Sequence, residues 1–365
     1  MHSTRHMRQH LAQCRVVLVA ASLEILGGQG VQAVALMQRL IEEGYAVSFL
    51  PINPLFPRGL RWLRRYRYIR TVLNQLLYLP SLWTLRHADV VHVFSASYWS
   101  FLLAPAPAIW AAHRFGKRVV LNYHSGEAED HLAHWGWLVH PWLRVADEIV
   151  VPSEYLRDVF ARFGYHAQVV RNVVDTARFT FRERLPLQPR LLSMRNLEPH
   201  YRVDVVLRAY ALLKVHYPGA SLVLAGYGSE EARLHHLAGE LRVDGIRFLG
   251  RVEPNATPSL YEHADIFVNA AVVDNQPVSV LEAFASGLPV VSTGTGDIAA
   301  MLCHGETGKL VPPTDPAALA AAIVMLLENP EEAVRMTRRA RVEVQRYTWP
   351  EIRDQWTAVY QGAQA

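Results

Sequence analysis

The sequence predicts two doubly wound, Rossmann-like α/β domains, and three observations support this fold class. First, short apolar strand patterns alternate with helical patterns along most of the chain, which is typical of parallel sheets with crossover helices. Second, a length of 365 residues suits two domains, each with its own core. Third, the alternation is interrupted by a charged stretch with two prolines, RERLPLQPR at residues 182–190, which is interpreted as a linker.

The first domain, predicted for residues 1–185, opens with the buried-strand pattern RVVLVA, followed by a helical pattern. Gly44 ends this helix, as glycine commonly does. The predicted elements are Arg15–Ala20, Val31–Glu43, Ala46–Leu50, Asp89–Phe94, Ile109–Phe115, Arg118–Tyr123, Glu148–Pro152 and Tyr155–Phe163.

The second domain, predicted for residues 186–345, restarts the same alternation after the linker. Two such domains that face each other leave a cleft at the carboxyl ends of their strands, where ligands bind. The predicted elements are Leu191–Met194, Val203–His216, Ser221–Ala225, Glu230–Leu241, Ile246–Leu249, Ile266–Asn269, Val278–Ser286 and Val290–Ser292.

The most informative stretch is DNQPVSVLEAFASG at residues 274–287. It places two carboxylates, Asp274 and Glu282, on either side of a short loop that opens a helix. A helix N-terminus offers unpaired N–H groups and a positive dipole end to an anion. A carboxylate one turn inside such a helix can accept hydrogen bonds from sugar or ribose hydroxyls. The pattern therefore indicates a nucleotide-sugar pocket.

This stretch resembles the acidic-x7-Glu signature of the retaining family-4 glycosyltransferases of the GT-B fold, and the similarity runs through most of the chain. The resemblance implies that Asp274, where the family usually has Glu, faces the donor sugar and that Glu282 holds the ribose. It also implies that a helix in residues 346–365 crosses back to the first domain. The further donor-binding residues in this stretch are Asn275, Gln276, Val278 and Ser279.

The stretch MRNLEPHYRVD resembles the segment with which the family holds the donor diphosphate through an Arg and a Lys. Arg195 matches the Arg, whereas Tyr201 stands at the Lys position and Arg202 at the next, usually Gly. A departing diphosphate gathers negative charge and needs a cation. We therefore expect Arg202 to replace the lysine, since arginine can grip phosphate with two donors.

Four further segments match the family. In AGYGSEE and FLGRV, the resemblance places Tyr227 near the nucleotide and Arg251 beside its base. In the first domain, a glycine-rich turn precedes the first helix, and LNYHSG places His124 against a sugar hydroxyl. The turn residues expected to approach the donor are Gly28, Gln29 and Gly30. The turn does not have the dinucleotide-binding spacing, which argues against an oxidoreductase.

Three histidines then follow, at His131, His134 and His140. Their spacing does not fit a catalytic zinc site, so no metal is expected. The tryptophans among them predict an aromatic wall on the acceptor side instead, at Trp135, Trp137 and Trp142.

A basic segment lies between Arg58 and Arg86, with seven arginines and no acidic residue. Trp62, Tyr66 and Ile69 recur at helical spacing, so residues 58–77 are predicted to form a basic amphipathic helix. Such a helix suits an anionic membrane surface. The alternative, a solvated face of a core helix, stays open. No recognised nucleic-acid-binding motif accompanies the charge.

Composition excludes several other classes. No apolar run reaches the ~18 residues of a membrane helix. The polar, basic N-terminus is not a secretion signal. Cys14 and Cys303 are isolated, which suggests free thiols in a reducing cytoplasm. The expected location is cytoplasmic, with possible peripheral binding to the inner face of the plasma membrane.

The predicted function is a retaining, metal-independent glycosyltransferase without a cofactor. It would move a sugar from a UDP- or GDP-sugar to a lipid-linked or saccharide acceptor in polysaccharide or glycolipid biosynthesis. The chain has no Asp-x-Asp motif for a metal-dependent donor site. A pyridoxal phosphate enzyme would need a lysine in the cleft, and none is apparent. The alternative is a non-catalytic nucleotide-sugar-binding partner of such an enzyme.

Overall fold

The computed structural model describes residues 14–22, 28–95 and 97–362, without the side chain of Arg67. The chain divides into two compact units, residues 1–171 with 353–365 and residues 172–352. Each unit contains a six-stranded parallel sheet with helices between its strands. The prediction of two doubly wound α/β domains is confirmed.

The sheet of the first unit has the strand order β2-β1-β3-β4-β5-β6. The order reverses between β1 and β3, and at such a point the loops at the carboxyl ends open a crevice. Its strands are Arg15–Ala20 (β1), Ala46–Pro51 (β2), Val90–Ser95 (β3), Arg118–Tyr123 (β4), Glu148–Val151 (β5) and Gln168–Val169 (β6). The helices up to residue 171 are Gly28–Glu42 (α1), Arg67–Ser81 (α2), Trp99–Leu103 (α3), Pro105–Arg114 (α4), Ala128–Leu143 (α5) and Glu154–Arg162 (α6).

The basic segment does not form one helix over residues 58–77, so that prediction is wrong. A 3-10 helix covers Arg58–Arg65, the backbone is extended at Tyr66 (φ −95°, ψ 112°), and α2 follows. Arg58, Arg61, Arg64 and Arg65 are three or four residues apart with no acid among them. Like charges at this spacing destabilise an α-helix, which explains the break.

The sheet of the second unit has the order β12-β11-β10-β7-β8-β9, which reverses between β7 and β10. Its strands are Arg190–Met194 (β7), Ser221–Ala225 (β8), Ile246–Gly250 (β9), Ile266–Asn269 (β10), Val290–Thr293 (β11) and Lys309–Val311 (β12). Its helices are Val203–His216 (α7), Glu231–Leu241 (α8), Thr257–His263 (α9), Val278–Ser286 (α10), Ile298–Met301 (α11), Pro316–Glu328 (α12) and Pro330–Glu343 (α13).

Both faces of the second sheet are covered. Leu191 and Leu192 are neighbours in β7, and their side chains enter two different hydrophobic clusters. Leu191 packs with residues of α7 and α12, whereas Leu192 packs with residues of α9 and α10. This burial explains why the strands of a parallel sheet are apolar at successive positions.

The predicted linker at residues 182–190 is part of the second unit, because Arg184 is buried there at 2% exposure. Its guanidinium donates to the carbonyls of Tyr261 and Ala264 at the end of α9, at 2.8 and 2.7 Å. It also donates to the carbonyls of Ser286 and Gly287 at the end of α10, at 2.8 and 2.9 Å. One arginine thus caps two helices.

The unit boundaries at 171/172 and 352/353 differ from the expected 185 and 345. Val174 and Phe179 explain the earlier start of the second unit, since both are buried in its core. The last helix, Trp349–Gln361 (α14), extends into the segment that belongs to the first unit. There the Tyr360 hydroxyl lies 2.8 Å from Nδ1 of the buried His92. None of the helices in the described ranges is long and apolar enough to span a membrane.

We expect Arg184→Met to lower the free energy of unfolding of the second unit by at least about 3 kcal/mol, because it leaves several buried carbonyls without donors. Urea denaturation followed by circular dichroism measures the change. Arg338→Met is the control, since its guanidinium pairs with Glu183 at the surface and its loss should matter little. An equal, small effect of both substitutions would contradict the capping role of Arg184.

Candidate functional site

An ion pair occupies the point where the strand order of the second sheet reverses. Arg195 directly follows β7, Asp274 lies in the loop after β10, and their side chains are paired. The two side chains are only 9% and 11% exposed. Arg195 also donates to the Ser279 hydroxyl in the first turn of α10, at 3.2 Å, and its guanidinium carbon lies 4.4 Å from the centre of the Tyr201 ring. Burial lowers the pKa of Arg195, although an arginine keeps its charge at neutral pH.

Two glycines allow the loops around this pair to meet. Gly226, after β8, lies so close to the loop after β7 that a Cβ there would overlap the carbonyl oxygen of Arg195. Gly296, after β11, has a φ of +58°, and a Cβ there would overlap the carbonyl oxygen of Asp274. Two pairs of loops at the carboxyl edge of one sheet, those after β7 and β8 and those after β10 and β11, are therefore packed backbone to backbone.

Glu282 lies on α10, one turn after Ser279. Its side chain keeps some solvent access, but the carboxylate is deep among its neighbours, and this burial raises its pKa to about 7. Tyr261, from α9, donates to Oε2 of Glu282 at 2.8 Å, and the positive charge of Arg178 acts in the same direction, so both lower the pKa. The sequence analysis missed Tyr261. A tyrosine just before a buried strand needs a partner for its hydroxyl, and this was the available signal.

Arg202 stands at the N-terminus of α7 in the left-handed backbone region (φ 47°, ψ 44°). Its guanidinium makes two hydrogen bonds with the Asp204 carboxylate, at 3.0 and 3.1 Å. Asp204 raises the pKa of Arg202, and Arg202 in turn helps to lower the pKa of Asp204. The Arg202 guanidinium, which was expected to replace the family lysine, is thus paired with Asp204, two residues away.

The remaining donor-binding candidates of the second unit have different surroundings. Gln276 is buried, accepts from the backbone N–H of Asn172 at 2.8 Å and donates to Asp297 at 3.1 Å. These contacts attach the start of the unit to the loop before α10. Arg251 is exposed beside Glu253 at 3.2 Å. The others lie in the loops after β8 and β10 and in the first turn of α10: Tyr227, Asn275, Val278 and Ser279.

In the first unit, two predicted residues converge on one atom, the carbonyl oxygen of Ser95 at the end of β3. Gln29, in the first turn of α1, donates to it from its side chain at 2.9 Å, and the backbone N–H of His124 donates at 3.2 Å. This carbonyl lies where the strand order of the first sheet reverses. Gly28 and Gly30 are in the same turn of α1, whereas Gly27 lies outside the described residues.

The His124 ring stacks on Phe94, with ring centres 5.3 Å apart. Its Nε2 is buried and has no hydrogen-bond partner among the described residues. Burial lowers the pKa of His124 to about 4, so the imidazole is neutral at physiological pH. A neutral imidazole nitrogen without a partner can donate a hydrogen bond to a hydroxyl group or accept one from it, depending on the tautomer.

The three other histidines point to separate partners along α5. His131 lies 2.8 Å from the Tyr123 hydroxyl, His134 pairs with Asp130, and His140 lies 2.8 Å from the Tyr165 hydroxyl. In the described part of the chain, no group of three or more His, Cys, Asp or Glu residues could hold a metal ion. The predicted aromatic wall is divided: Trp135 joins a ring cluster, Trp137 is 78% exposed, and Trp142 packs against the core.

Comparisons with known proteins agree with this picture. A family model described as "Glycosyl transferases group 1" matches residues 178–343, and one described as "Glycosyltransferase Family 4" matches residues 26–178. The glycogen synthase of Mycobacterium tuberculosis is 30% identical over 294 residues, which cover 75% of this chain and 69% of the relative. The phosphatidyl-myo-inositol mannosyltransferase of Mycobacterium leprae is 28% identical over 281 residues, covering 75% and 73%.

Among solved structures, Anabaena HepE in complex with UDP and glucose is similar with a TM-score of 0.74 at 16% identity. The likeness covers 96% of this chain and 100% of that one. It shows the fold, and it confirms the predicted GT-B class.

The pKa of Glu282 leads to a testable pH dependence of stability. The ordinary pKa of a glutamate, 4.5, applies in the unfolded chain, whereas burial raises the pKa to about 7 in the fold. The unfolded chain therefore releases this proton first, and the fold loses stability as pH rises from about 4.5 to 7. We expect Glu282→Gln to remove this loss and to stabilise the second unit at pH 8, by up to about 3 kcal/mol.

Urea midpoints at pH 5.5 and 8 measure the effect. Glu332→Gln is the control with the opposite sign, because Lys309 lowers the pKa of Glu332 and stabilises its ionised form. A Glu282→Gln variant that is less stable than the wild type at pH 8 would contradict the burial of an ionisable Glu282.

Proposed function

Because the chain belongs to the GT4-type glycosyltransferases, we propose that it transfers a sugar from a UDP- or GDP-sugar to a lipid-linked or saccharide acceptor. We also propose that the reaction retains the anomeric configuration, needs no metal ion and serves polysaccharide or glycolipid biosynthesis. The observation that carries the proposal is the Arg195–Asp274 pair at the strand-order reversal, where open α/β sheets bind ligands. None of the relatives named above is described as a non-catalytic subunit, so nothing supports that alternative.

In this proposal the second unit binds the nucleotide. Glu282 accepts hydrogen bonds from the ribose hydroxyls, and Arg195 binds the diphosphate. Arg202 adds a second guanidinium at the N-terminus of α7, where the helix dipole also favours an anion. Asp204 fixes the direction of that guanidinium through two hydrogen bonds. Tyr227, Arg251 and the first turn of α10 stay predicted contacts to the nucleotide.

The chemical step follows from the family resemblance. The bond between the anomeric carbon and the donor phosphate oxygen breaks, and the acceptor oxygen bonds to the same carbon from the leaving group's face. The acceptor's proton passes to the departing phosphate oxygen. Asp274 orients the sugar, His124 hydrogen-bonds a sugar hydroxyl, and the guanidinium groups stabilise the charge that develops on the diphosphate.

We expect Glu282→Ala to weaken UDP or GDP binding at least about tenfold, because each lost hydrogen bond to the carboxylate contributes about 1.5–3 kcal/mol. Asp274→Asn should lower turnover by a larger factor than it lowers nucleotide affinity, since Asp274 meets the sugar. Titration calorimetry with UDP, GDP, ADP and dTDP, followed by transfer assays with the matching sugars, measures both effects.

Glu240→Ala is the control for these variants, because Glu240 is exposed on α8 and should affect neither quantity. Unchanged nucleotide affinity in Glu282→Ala would remove the ribose assignment. A wild-type protein that binds a nucleotide sugar tightly but transfers no sugar to any acceptor would contradict the proposed activity.

A second part of the proposal concerns the membrane. Four apolar side chains of the basic segment are exposed: Trp62 at 58%, Tyr66 at 44%, Ile69 at 43% and Leu76 at 64%. Among its described side chains, only those at the end of the segment pack in the core, namely Tyr78, Leu82 and Leu85. This exposure favours the membrane interpretation over a solvated face of a core helix, whose apolar side would be buried. Arg65 lies over the Trp62 and Tyr66 rings, so cation and aromatic groups share one surface.

We therefore propose that residues 58–77 bind an anionic lipid surface, which would hold the enzyme at the inner face of the membrane near a lipid-linked acceptor. The name of the mycobacterial mannosyltransferase includes a phospholipid, which supports this choice of acceptor. Exposed aromatic and arginine side chains suit the interface, where rings enter the headgroup region and cations meet anionic lipids.

We expect the protein to sediment with vesicles of phosphatidylglycerol and phosphatidylcholine, and to be released by salt. Arg61→Glu with Arg65→Glu should weaken this binding at least about tenfold, because each basic residue near the surface contributes about 1 kcal/mol. The matched control is Arg335→Glu with Arg339→Glu on α13, two exposed arginines of the second unit. Equal sedimentation with uncharged vesicles, or equal losses in both double variants, would contradict this surface.

A further inference from the structure

Tyr261 connects the two helices next to the predicted nucleotide site. Its hydroxyl lies 2.8 Å from Oε2 of Glu282 and 3.1 Å from the carbonyl oxygen of Ser279, so one proton is shared between two acceptors on α10. The side chain is fully buried. Its ring packs edge-on against Phe179 and nearly parallel to Phe267, with centres 5.5 and 6.0 Å away. The hydroxyl therefore has a fixed direction.

The carboxylate of Glu282 depends on this hydroxyl. Among the described residues, Tyr261 is the one hydrogen-bond donor that reaches a side-chain oxygen of Glu282. A carboxyl group taken out of water without donors is costly and tends to hold a proton. The bond to Oε2 leaves Oε1 to accept hydrogen bonds from a ligand, and it fixes the plane of the carboxylate.

We propose that Tyr261 is a positioning residue of the donor site, which holds Glu282 as a correctly oriented carboxylate for the two ribose hydroxyls of the nucleotide. This inference rests on the proposed function and adds to it the group that makes Glu282 competent. A phenylalanine in this aromatic surrounding would fill the same volume. The hydroxyl is thus separable from the packing of the ring.

Several charged groups around Glu282 could also set its protonation. The Tyr261 hydroxyl and Arg178 both lower its pKa, against the larger effect of burial, which raises it to about 7. Arg195 reaches the Ser279 hydroxyl one turn away and is paired with Asp274, so its charge is largely compensated there. Loss of the Tyr261 hydroxyl should raise the pKa of Glu282 further. Only the ionised carboxylate accepts two hydroxyl donors well, so nucleotide affinity should rise with pH through this pKa.

The experiment compares Tyr261→Phe with the wild type by calorimetric titration of UDP and GDP between pH 6 and 8.5. We expect about tenfold weaker binding at pH 7 and a midpoint of the pH dependence that moves upward, because one hydrogen bond to a charged group is lost. In transfer assays KM for the donor should rise more than kcat falls, since Asp274 and Arg195 are unchanged. A defect in packing alone would not move the pH midpoint.

Tyr210→Phe is the matched control. Tyr210 is also fully buried in the second unit, and its hydroxyl donates to the backbone carbonyls of Ala220 and Asp244 at 2.7 and 2.9 Å. The Tyr210→Phe variant should be less stable than the wild type, but its nucleotide affinity and the pH midpoint of that affinity should not change. Tyr261→Phe is also made in the Glu282→Gln background, which removes the titrating carboxyl and which we expect to be more stable than the wild type at pH 8. This double variant is compared with Glu282→Gln alone.

In the double variant, the change at Tyr261 should have no further effect on affinity, because the carboxylate that its hydroxyl orients is gone. Wild-type affinity and an unchanged pH midpoint in Tyr261→Phe would overturn this inference and leave the proposed function intact. A wild-type protein that binds none of the nucleotides and transfers no sugar would overturn the proposed function, and the role of Tyr261 would fall with it.

Discussion

The position of α9 relative to α10 is the constraint on which the second unit depends, and Arg184 maintains it. The last turn of any helix leaves carbonyl groups without intrahelical partners, and a cation is favourable there because of the helix dipole. Arg184 meets both needs for both helices at once, with hydrogen bonds of 2.7 to 2.9 Å. Since Tyr261 lies on α9 and Glu282 on α10, a shift of either helix would separate the hydroxyl from the carboxylate.

The burial of Arg195 and Glu282 lowers the stability of the fold. Arg195 and Glu282 are charged or chargeable groups withdrawn from water, and burial alone would favour neutral residues at both positions. Their cost is reduced by specific partners, namely Asp274 for Arg195 and Tyr261 for Glu282. Groups that are expensive to bury and yet held by dedicated partners are characteristic of binding and catalytic sites.

The regular elements could be predicted because their pattern is local. Val203–His216, Ser221–Ala225, Ile266–Asn269 and Val278–Ser286 have the same bounds in the sequence analysis and in the structure. Helix α5 was not assigned, since Gly136, Pro141 and three tryptophans obscure its helical pattern. The linker prediction was wrong because the structure of that stretch depends on contacts between residues distant in the sequence. The charged stretch at 182–190 suggested a linker, because nothing local reveals that the carbonyls of two helix ends, some 80 and 102 residues away, surround Arg184.

The candidate site was predictable to the same extent. A resemblance could indicate Arg195, Asp274 and Glu282, since Asp274 and Glu282 are the two acids of one signature and Arg195 lies in a second matching stretch. It could not indicate Tyr261, whose contribution exists only where α9 meets α10. Nor could the resemblance show the ion pairs made at the two positions that depart from the family pattern. Asp274, which is shorter by one methylene than the usual glutamate, pairs with Arg195. Arg202, expected to replace the family lysine, is held by Asp204. The positive charges near the predicted diphosphate position are thus each matched by a carboxylate. In the proposed donor site, net charge would therefore contribute little to diphosphate affinity, and fixed N–H donors from the guanidinium groups and the N-termini of α7 and α10 would contribute the larger part.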